Sequence, residues 1–168
     1  DVTSGSATLS DVSGVWSAGD TTYTATYDVT DQNVDIDSVT IDVSGTKNIV
    51  GNSQQDYTPV HEFDMDTLNP TVTVNVVDVS LNDGDNSSVV NFTLSESTTN
   101  FVVGDVTMTD GTLSGFSGSG TSYTATFTAD DGFDGTGSVS VPAGSYTDAV
   151  GNAGAAESDN ITIDTLNP

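Results

Sequence analysis

The sequence predicts an all-β protein built from tandem β-sandwich domains, and two observations lead to that fold class. Apolar residues alternate with polar ones over short runs, as they do in strands that bury one face. Glycine, aspartate, asparagine and serine separate these runs roughly every ten residues, which is the spacing of turns in a sandwich. Because no segment sustains the period of about 3.6 residues that marks a helix, we expect almost no helix.

An internal repeat sets the domain organisation. Four short motifs occur twice, at offsets of 98, 100, 100 and 104 residues, and insertions in surface loops produce such small differences. The pairs are DTLNP at 66–70 and 164–168, YTATY at 23–27 and YTATF at 123–127, IVGN at 49–52 and AVGN at 149–152, and DVT at 1–3 and 105–107. We therefore predict a partial repeat over residues 1–70 and a complete repeat over residues 71–168.

The complete repeat contains seven predicted strands, A to G. Strand A is centred on Val74 and strand B on Phe92. Strands C to G are expected at 106–109, 112–117, 121–128, 137–141 and 160–164. Seven short strands within residues 71–168 are typical of an immunoglobulin-like sandwich. A seven-stranded barrel is the alternative. The first repeat, which has no counterpart of strands A and B, then forms an immunoglobulin-like sandwich that lacks its N-terminal strands.

The same alternation predicts which side chains are buried. We expect the core of the complete repeat to contain Val72, Val74, Val76, Val90, Phe92, Leu94, Val106, Leu113, Tyr123, Ala125, Phe127, Val139, Val141 and Ile161 or its neighbours. In the partial repeat the equivalent positions are Trp16, Tyr23, Ala25, Tyr27, Val39, Ile41 and Val43. Tyr146 is expected to lie under the loop between strands F and G, with its hydroxyl bonded to backbone.

Composition restricts the partners of the chain. One Lys+Arg against 25 Asp+Glu gives a formal net charge of −24, which argues against nucleic acid and anionic membranes and favours cations. All the acids but Glu62, Glu96 and Glu157 are aspartates, a residue of turns and metal sites. The absence of cysteine excludes disulfides and thiolate metal sites. No apolar run approaches the roughly 20 residues of a membrane helix, so we place any export signal or anchor elsewhere.

Three stretches carry a family resemblance. They are SVVNFTLSE at 88–96, GDVTMTDGTLSGFSGSGTSYTATFTAD at 104–130 and GSVSVPAGSYTDAVGNAGAAESDNITID at 137–164, followed by a D-T-x-x-P boundary. Together they resemble the bacterial immunoglobulin-like repeats of giant secreted adhesins, including RTX-type and biofilm-associated adhesins. The resemblance implies an extracellular extender module on the bacterial cell surface, joined to neighbouring repeats of the same protein and stiffened by calcium at its joints.

The partial repeat departs from this pattern because nothing in residues 1–70 corresponds to TVTVNVVDVSLNDGDNSSVVNFTLSES at 71–97. A sandwich without strands A and B would expose sheet edges and core residues. Either the missing strands lie upstream in a longer protein, or another copy supplies strands by β-augmentation and builds a filament. We expect the first of these.

Acidic loops predict a first calcium site at the end of the sandwich where strand G leaves. Antiparallel order places the A–B loop, the C–D turn and the E–F loop at that end. Calcium takes 6 to 8 oxygen ligands, which aspartate and asparagine side chains can supply. The candidate ligands are Asn82, Asp83, Asp85, Asn86, Asp130, Asp131 and Asp134. The alternative is that these residues are solvated turn acids.

A second calcium site is predicted at the joint between the repeats, where Pro70, the B–C loop and the F–G loop of the complete repeat should meet. Its candidate ligands are Asp66, Asn69, Asp148 and Asn152. Packing like charges there without a cation would be repulsive. The alternative is that Asp66 and Asn69 cap turns while Pro70 fixes the backbone.

Two other functions are weighed against the structural one. Paired carboxylates could serve glycoside hydrolysis, but His61 and Lys47 are the only His and Lys, so bases and nucleophiles are scarce and we predict no enzyme. Threonine rows such as Thr22, Thr24 and Thr26 could form a flat glycan- or ice-binding face, although threonine is also simply a favoured strand residue.

Overall fold

A computed structural model describes residues 2–3, 9–19, 22–55 and 58–167, with the backbone alone for 2–3 and 9–12. Contacts divide the chain into two compact units, Asp1–Leu68 and Asn69–Pro168. The described part of the chain contains strands, one short 3-10 turn and no helix that is long and apolar enough to cross a membrane.

The described residues of the first unit form five strands in two small sheets. They are β1 (Val2–Thr3), β2 (Leu9–Trp16), β3 (Tyr23–Val29), β4 (Asp35–Ile41) and β5 (His61–Asp66). One sheet has the order β1-β4-β5, and the other is the hairpin β2-β3.

The second unit contains the remaining strands and the 3-10 turn Val103–Asp105. The strands are β6 (Val72–Val76), β7 (Ser80–Asn82), β8 (Ser87–Thr98), β9 (Thr107–Thr109), β10 (Gly111–Ala129), β11 (Asp134–Val141) and β12 (Glu157–Asp164). The two sheets have the orders β10-β8-β6 and β7-β12-β11-β9.

Strand β10 folds back on itself and accounts for both predicted strands D and E. The Asp130 N–H donates to the Asp110 carbonyl at 3.1 Å, so the two ends of this 19-residue strand lie side by side. Near the turn, a Cβ on Gly118 would lie 2.3 Å from the Ser122 carbonyl oxygen. Gly118 and Gly120 have φ of +140° and +64°, values that glycine adopts without steric cost.

These pairings give an immunoglobulin-like sandwich and not a closed barrel. Each pair of strands in the β10-β8-β6 sheet is antiparallel. In the other sheet β11 pairs antiparallel with β9 and β12, while β7 runs parallel to β12. The N-terminal strand of the sandwich is therefore split into two segments. β6 belongs to one sheet and β7 to the other. The predicted all-β sandwich is confirmed, and β7 is an addition that the alternation did not indicate.

The core lies between the two sheets, and the sequence predicted most of it. Thirteen of the fourteen predicted residues are buried in one cluster, and Leu113 packs partly buried against it. The core residues that sequence reasoning did not name as core are Leu81, Phe101, Ala129 and Ile163, with Tyr146, predicted as a plug, joining the same cluster. Phe101 packs among other aromatic side chains, with its ring 5.7 Å from that of Phe92 and 5.5 Å from that of Tyr146.

The first unit repeats the strand pairing of the second. Thr3 pairs with Thr40 as Thr107 pairs with Ser140, and Asp35 faces Asp66 as Asp134 faces Asp164. Its predicted core was largely wrong, however. Of the seven predicted residues only Val39 is buried, and Trp16, Tyr23, Ala25 and Val43 are exposed. The described part of the first unit has no strands that correspond to β6 and β8, so these side chains are left uncovered.

Candidate functional site

The chain enters and leaves the second unit at opposite ends. At the leading end, the Pro70 carbonyl accepts the Ala155 N–H at 2.9 Å, beside the loop that joins β11 to β12. At the trailing end, the Thr165 N–H donates to the Phe133 carbonyl at 2.7 Å. Strand β12 joins the two ends, and its 8 residues span roughly 26 Å. The loops are thus sorted between the ends as the sequence predicted.

Thr165 fixes the exit of the chain, a role that sequence reasoning missed. Its buried hydroxyl donates to the Asp130 carbonyl at 2.7 Å and accepts the Phe133 N–H at 3.0 Å. Thr67 makes the equivalent of the Phe133 contact in the first unit, where its hydroxyl accepts the Val34 N–H at 3.1 Å. Both threonines are the second residue of DTLNP. The recurrence of that motif is therefore the sequence signal for their role at the end of each unit.

The trailing end also carries a row of oxygen-bearing side chains across three paired strands. Asp164 on β12 is the register partner of both Asp134 on β11 and Asn82 on β7. Side chains of directly paired residues lie on the same face, and like charges placed opposite each other are destabilising. Asn82 and Asp134 were predicted ligands, whereas Asp164 was not. The row offers two carboxylates and one carboxamide, which are the donors that calcium prefers.

The other predicted ligands of this end do not join that row as a cluster. Asp83, Asp85, Asp130 and Asp131 are exposed, and among the described residues of this end no three carboxylates come within 4.8 Å of one another. Within the row, Asn82 Oδ1 also accepts the N–H groups of Gly84 and Asp85 at 2.9 and 3.2 Å. Asn86 is tied through its backbone carbonyl, which accepts the Ala129 N–H at 2.9 Å.

Tyr146 plugs the leading end, as predicted. The side chain is 1% exposed, and its hydroxyl donates to the carbonyls of Pro70 at 3.2 Å and Ala155 at 3.4 Å. Burial, with the nearby Glu96 carboxylate as a second cause, raises the pKa of Tyr146 to about 12. A Cβ on Gly154 would lie 2.2 Å from the tyrosine ring, so glycine is required at that position.

Asp148 organises the loop between β11 and β12. It is 7% exposed, and its Oδ1 accepts the N–H groups of Val150, Gly151 and Asn152 at 2.9, 2.6 and 2.9 Å. Its Oδ2 accepts the Asn152 side-chain amide at 2.8 Å. Burial raises the pKa of the Asp148 carboxyl, but these hydrogen bonds outweigh burial and leave the pKa below its ordinary value.

The first unit builds the same loop with a neutral residue. Asn48 stands where the second unit has Asp148, and its Oδ1 accepts the N–H groups of Val50 and Asn52 at 3.1 and 2.9 Å. The loop therefore requires an oxygen acceptor and not a negative charge. In the second unit that charge lies beside another, because carboxylate oxygens of Glu96 and Asp148 come within 4.8 Å of each other.

The predicted joint residues are divided between the two units. Asp66 ends β5 of the first unit, where it faces Asp35, and its Oδ1 accepts the Leu68 N–H at 2.9 Å. Burial and then repulsion from Asp66, Asp37 and Asp64 raise the pKa of the Asp35 carboxyl. Asn69, Asp148 and Asn152 belong to the second unit. The joint calcium site stays a prediction.

The two basic side chains that were considered for catalysis are on the surface of the first unit. His61 Nε2 lies 2.8 Å from Asp64 Oδ1, and both side chains are more than half exposed. Lys47 is exposed in a loop and forms a backbone bridge with Ser53.

The second unit is thus an immunoglobulin-like sandwich with a tyrosine-plugged leading end and an acidic trailing end. The chain belongs to the bacterial immunoglobulin-like domain family, because the family's sequence model matches residues 66–165. No curated protein and no solved structure gave a significant match to the chain.

The buried hydroxyl of Tyr146 predicts a loss of stability at high pH. A pKa raised from 10.0 to about 12 leaves stability unchanged below about pH 10 and lowers it by up to about 3 kcal/mol as pH rises through 12. Tyr146→Phe should cost about 1 kcal/mol at pH 9 through its lost hydrogen bonds, and it should not show this additional loss. Urea unfolding of both proteins between pH 9 and 12 measures the difference. Parallel curves for the two proteins would contradict the assignment.

The Asp148 loop predicts different effects for two substitutions. Asp148→Ala leaves three loop N–H groups without their acceptor and should cost about 1–3 kcal/mol near neutral pH. Asp148→Asn retains the acceptor, as Asn48 shows, and should cost less than about 1 kcal/mol. Because the folded-state pKa of Asp148 is lowered, the stabilisation is complete above about pH 4 and decreases as pH falls through that pKa. Equal costs for both variants in urea unfolding would show that the loop depends on charge.

Proposed function

We propose that the chain is a structural spacer module of a long bacterial cell-surface protein. The single observation that carries this proposal is the separation of the two chain ends across the length of β12, with each end tied down by backbone hydrogen bonds. A sandwich of this kind adds length whenever it is repeated, since the exit of one copy leads away from its own entrance. Membership of the bacterial immunoglobulin-like family supports a surface location.

In this proposal the parent protein is an extracellular adhesin, and the module holds an adhesive region away from the cell. Its partners are neighbouring repeats of the same protein. The internal repeat supports this, because the DTLNP boundary and its threonine contact recur. The role is structural and not catalytic.

We also propose calcium as a structural ligand of the trailing end. The row Asn82, Asp164 and Asp134 supplies oxygen donors, and a divalent cation would relieve the repulsion between the two opposed carboxylates. The remaining ligands would come from the loop acids, from backbone carbonyls and from water. The net charge of −24 makes cation binding favourable in general.

A length measurement tests the spacer role. Chains with one, two and four tandem copies of residues 69–168 should increase in maximum dimension by a constant amount of at least about 26 Å per copy, since each copy adds one strand length. Small-angle X-ray scattering measures this dimension. Growth that levels off with copy number would mean that the copies collapse on one another, and the proposal would be wrong.

A thermal measurement tests calcium. At constant ionic strength, 10 mM Ca²⁺ should raise the melting temperature of the second unit by about 5 °C or more, because a ligand of the folded state stabilises it by mass action. Asp164→Asn should raise the melting temperature without calcium and reduce the calcium-dependent rise. Asp78→Asn removes the same charge from an exposed position elsewhere and should leave that rise unchanged. If magnesium or sodium at equal ionic strength gives the same rise, only charge screening is acting.

A further inference from the structure

The first unit has an open apolar groove. Its lining includes Trp16, Tyr23, Ala25, Tyr27, Ile41 and Val43, and its volume is about 780 Å³. The rings of Trp16 and Tyr23 contact each other with centroids 5.1 Å apart, yet these side chains are 56% and 53% exposed. We call these six residues the acceptor groove.

The second unit shows what covers a surface of this kind. Tyr123, Ala125, Phe127 and Val141 occupy the positions equivalent to Tyr23, Ala25, Tyr27 and Ile41, and all four are buried. The side chains beside them in the same core include Val90, Phe92 and Leu94 of β8, the neighbouring strand of the same sheet, where they alternate with polar residues. The acceptor groove is therefore a core surface that lacks, in the described part of the first unit, the neighbouring strand equivalent to β8.

The backbone beside the groove is also open. In the second unit the later half of β10 pairs with β8, with Tyr123 opposite Phe92 and Ala125 opposite Val90. In the first unit β3 pairs with β2, and no strand among the described residues pairs with the other edge of β3. An open edge next to an apolar surface is the arrangement that binds an added strand.

We propose that the acceptor groove and the free edge of β3 bind an extended segment with the chemistry of β8. The segment runs antiparallel to β3 and places a large apolar residue opposite Tyr23 and a smaller one opposite Ala25. It carries little charge on the pairing strand, since residues 87–95 contain no charged side chain and a chain of net charge −24 would repel an acidic one.

The bound segment comes from a further repeat of the same kind and not from exchange between copies of this chain. In the described part of each copy, both units need such a segment, but one segment, β6 with β8 of the second unit, can supply it. Any exchange among copies therefore leaves one unit per copy uncovered. This inference depends on the modular function proposed above in one respect, because that function identifies a further repeat as the source of the segment.

The test uses the single tryptophan of the chain, Trp16, as a reporter. A capped peptide with the sequence of residues 86–98, added to the 168-residue chain, should shift tryptophan emission to shorter wavelength and saturate at one peptide per chain. Hydrogen exchange should show new protection of β3 amides. A peptide of equal length and charge in which serine replaces Val90, Phe92 and Leu94 should produce neither effect.

Two variants on one strand make the test specific. Ala25→Asp places a carboxylate in the acceptor groove and should weaken peptide binding at least about tenfold, because that charge would be buried without a partner. Thr24→Asp adds the same charge on the opposite face of β3 and should bind as the unaltered chain does. No emission change and no protection at about 1 mM peptide, a concentration that would detect even weak binding, would overturn the proposal, as would equal losses in both variants. The tandem-copy and calcium measurements concern the second unit, so their outcome is independent of this one.

Discussion

The pairing of β8 with the later half of β10 is the interaction on which the rest of the second unit depends. Strand β8 lies between β10 and β6, and its side chains Val90, Phe92 and Leu94 cover the opposite sheet. The tyrosine and alanine of the tetrapeptide YTAT are buried at 123 and 125, where β8 pairs with the strand, and exposed at 23 and 25, where no described strand takes the place of β8. An alternating strand therefore becomes part of a core only when a second strand covers it, since burial of apolar area requires two surfaces.

Much of this fold could be predicted from sequence because alternation and the internal repeat are both local signals. Period-2 alternation fixes which side chains share a face, so the core positions around Val74, Phe92 and Val139 followed directly. The order of antiparallel strands then sorted the loops between the ends. Tyr146 was recognisable because a large amphipathic residue in a loop needs both a cavity and a polar partner.

The rest required pairing information that alternation does not contain. The parallel contact of β7 with β12 brings Asn82 next to Asp164, and nothing in either segment indicates that neighbour. Phe101 lies in an irregular stretch, so no period marked it as buried. In the first unit the error had a different cause. Faces were assigned correctly, but burial was assumed to follow from the residue pattern without its covering strands.

The loops at Asn48 and Asp148 show that the backbone conformation at the end of a domain does not depend on the charge of that end. The backbone path depends on one oxygen that accepts several N–H groups, and a carboxamide supplies that oxygen as well as a carboxylate does. Charge at this position can therefore be gained or lost by a single amino-acid exchange without any rebuilding of the turn. The two units of this chain thus share one loop architecture, while the loop of the second unit alone carries a negative charge at this position.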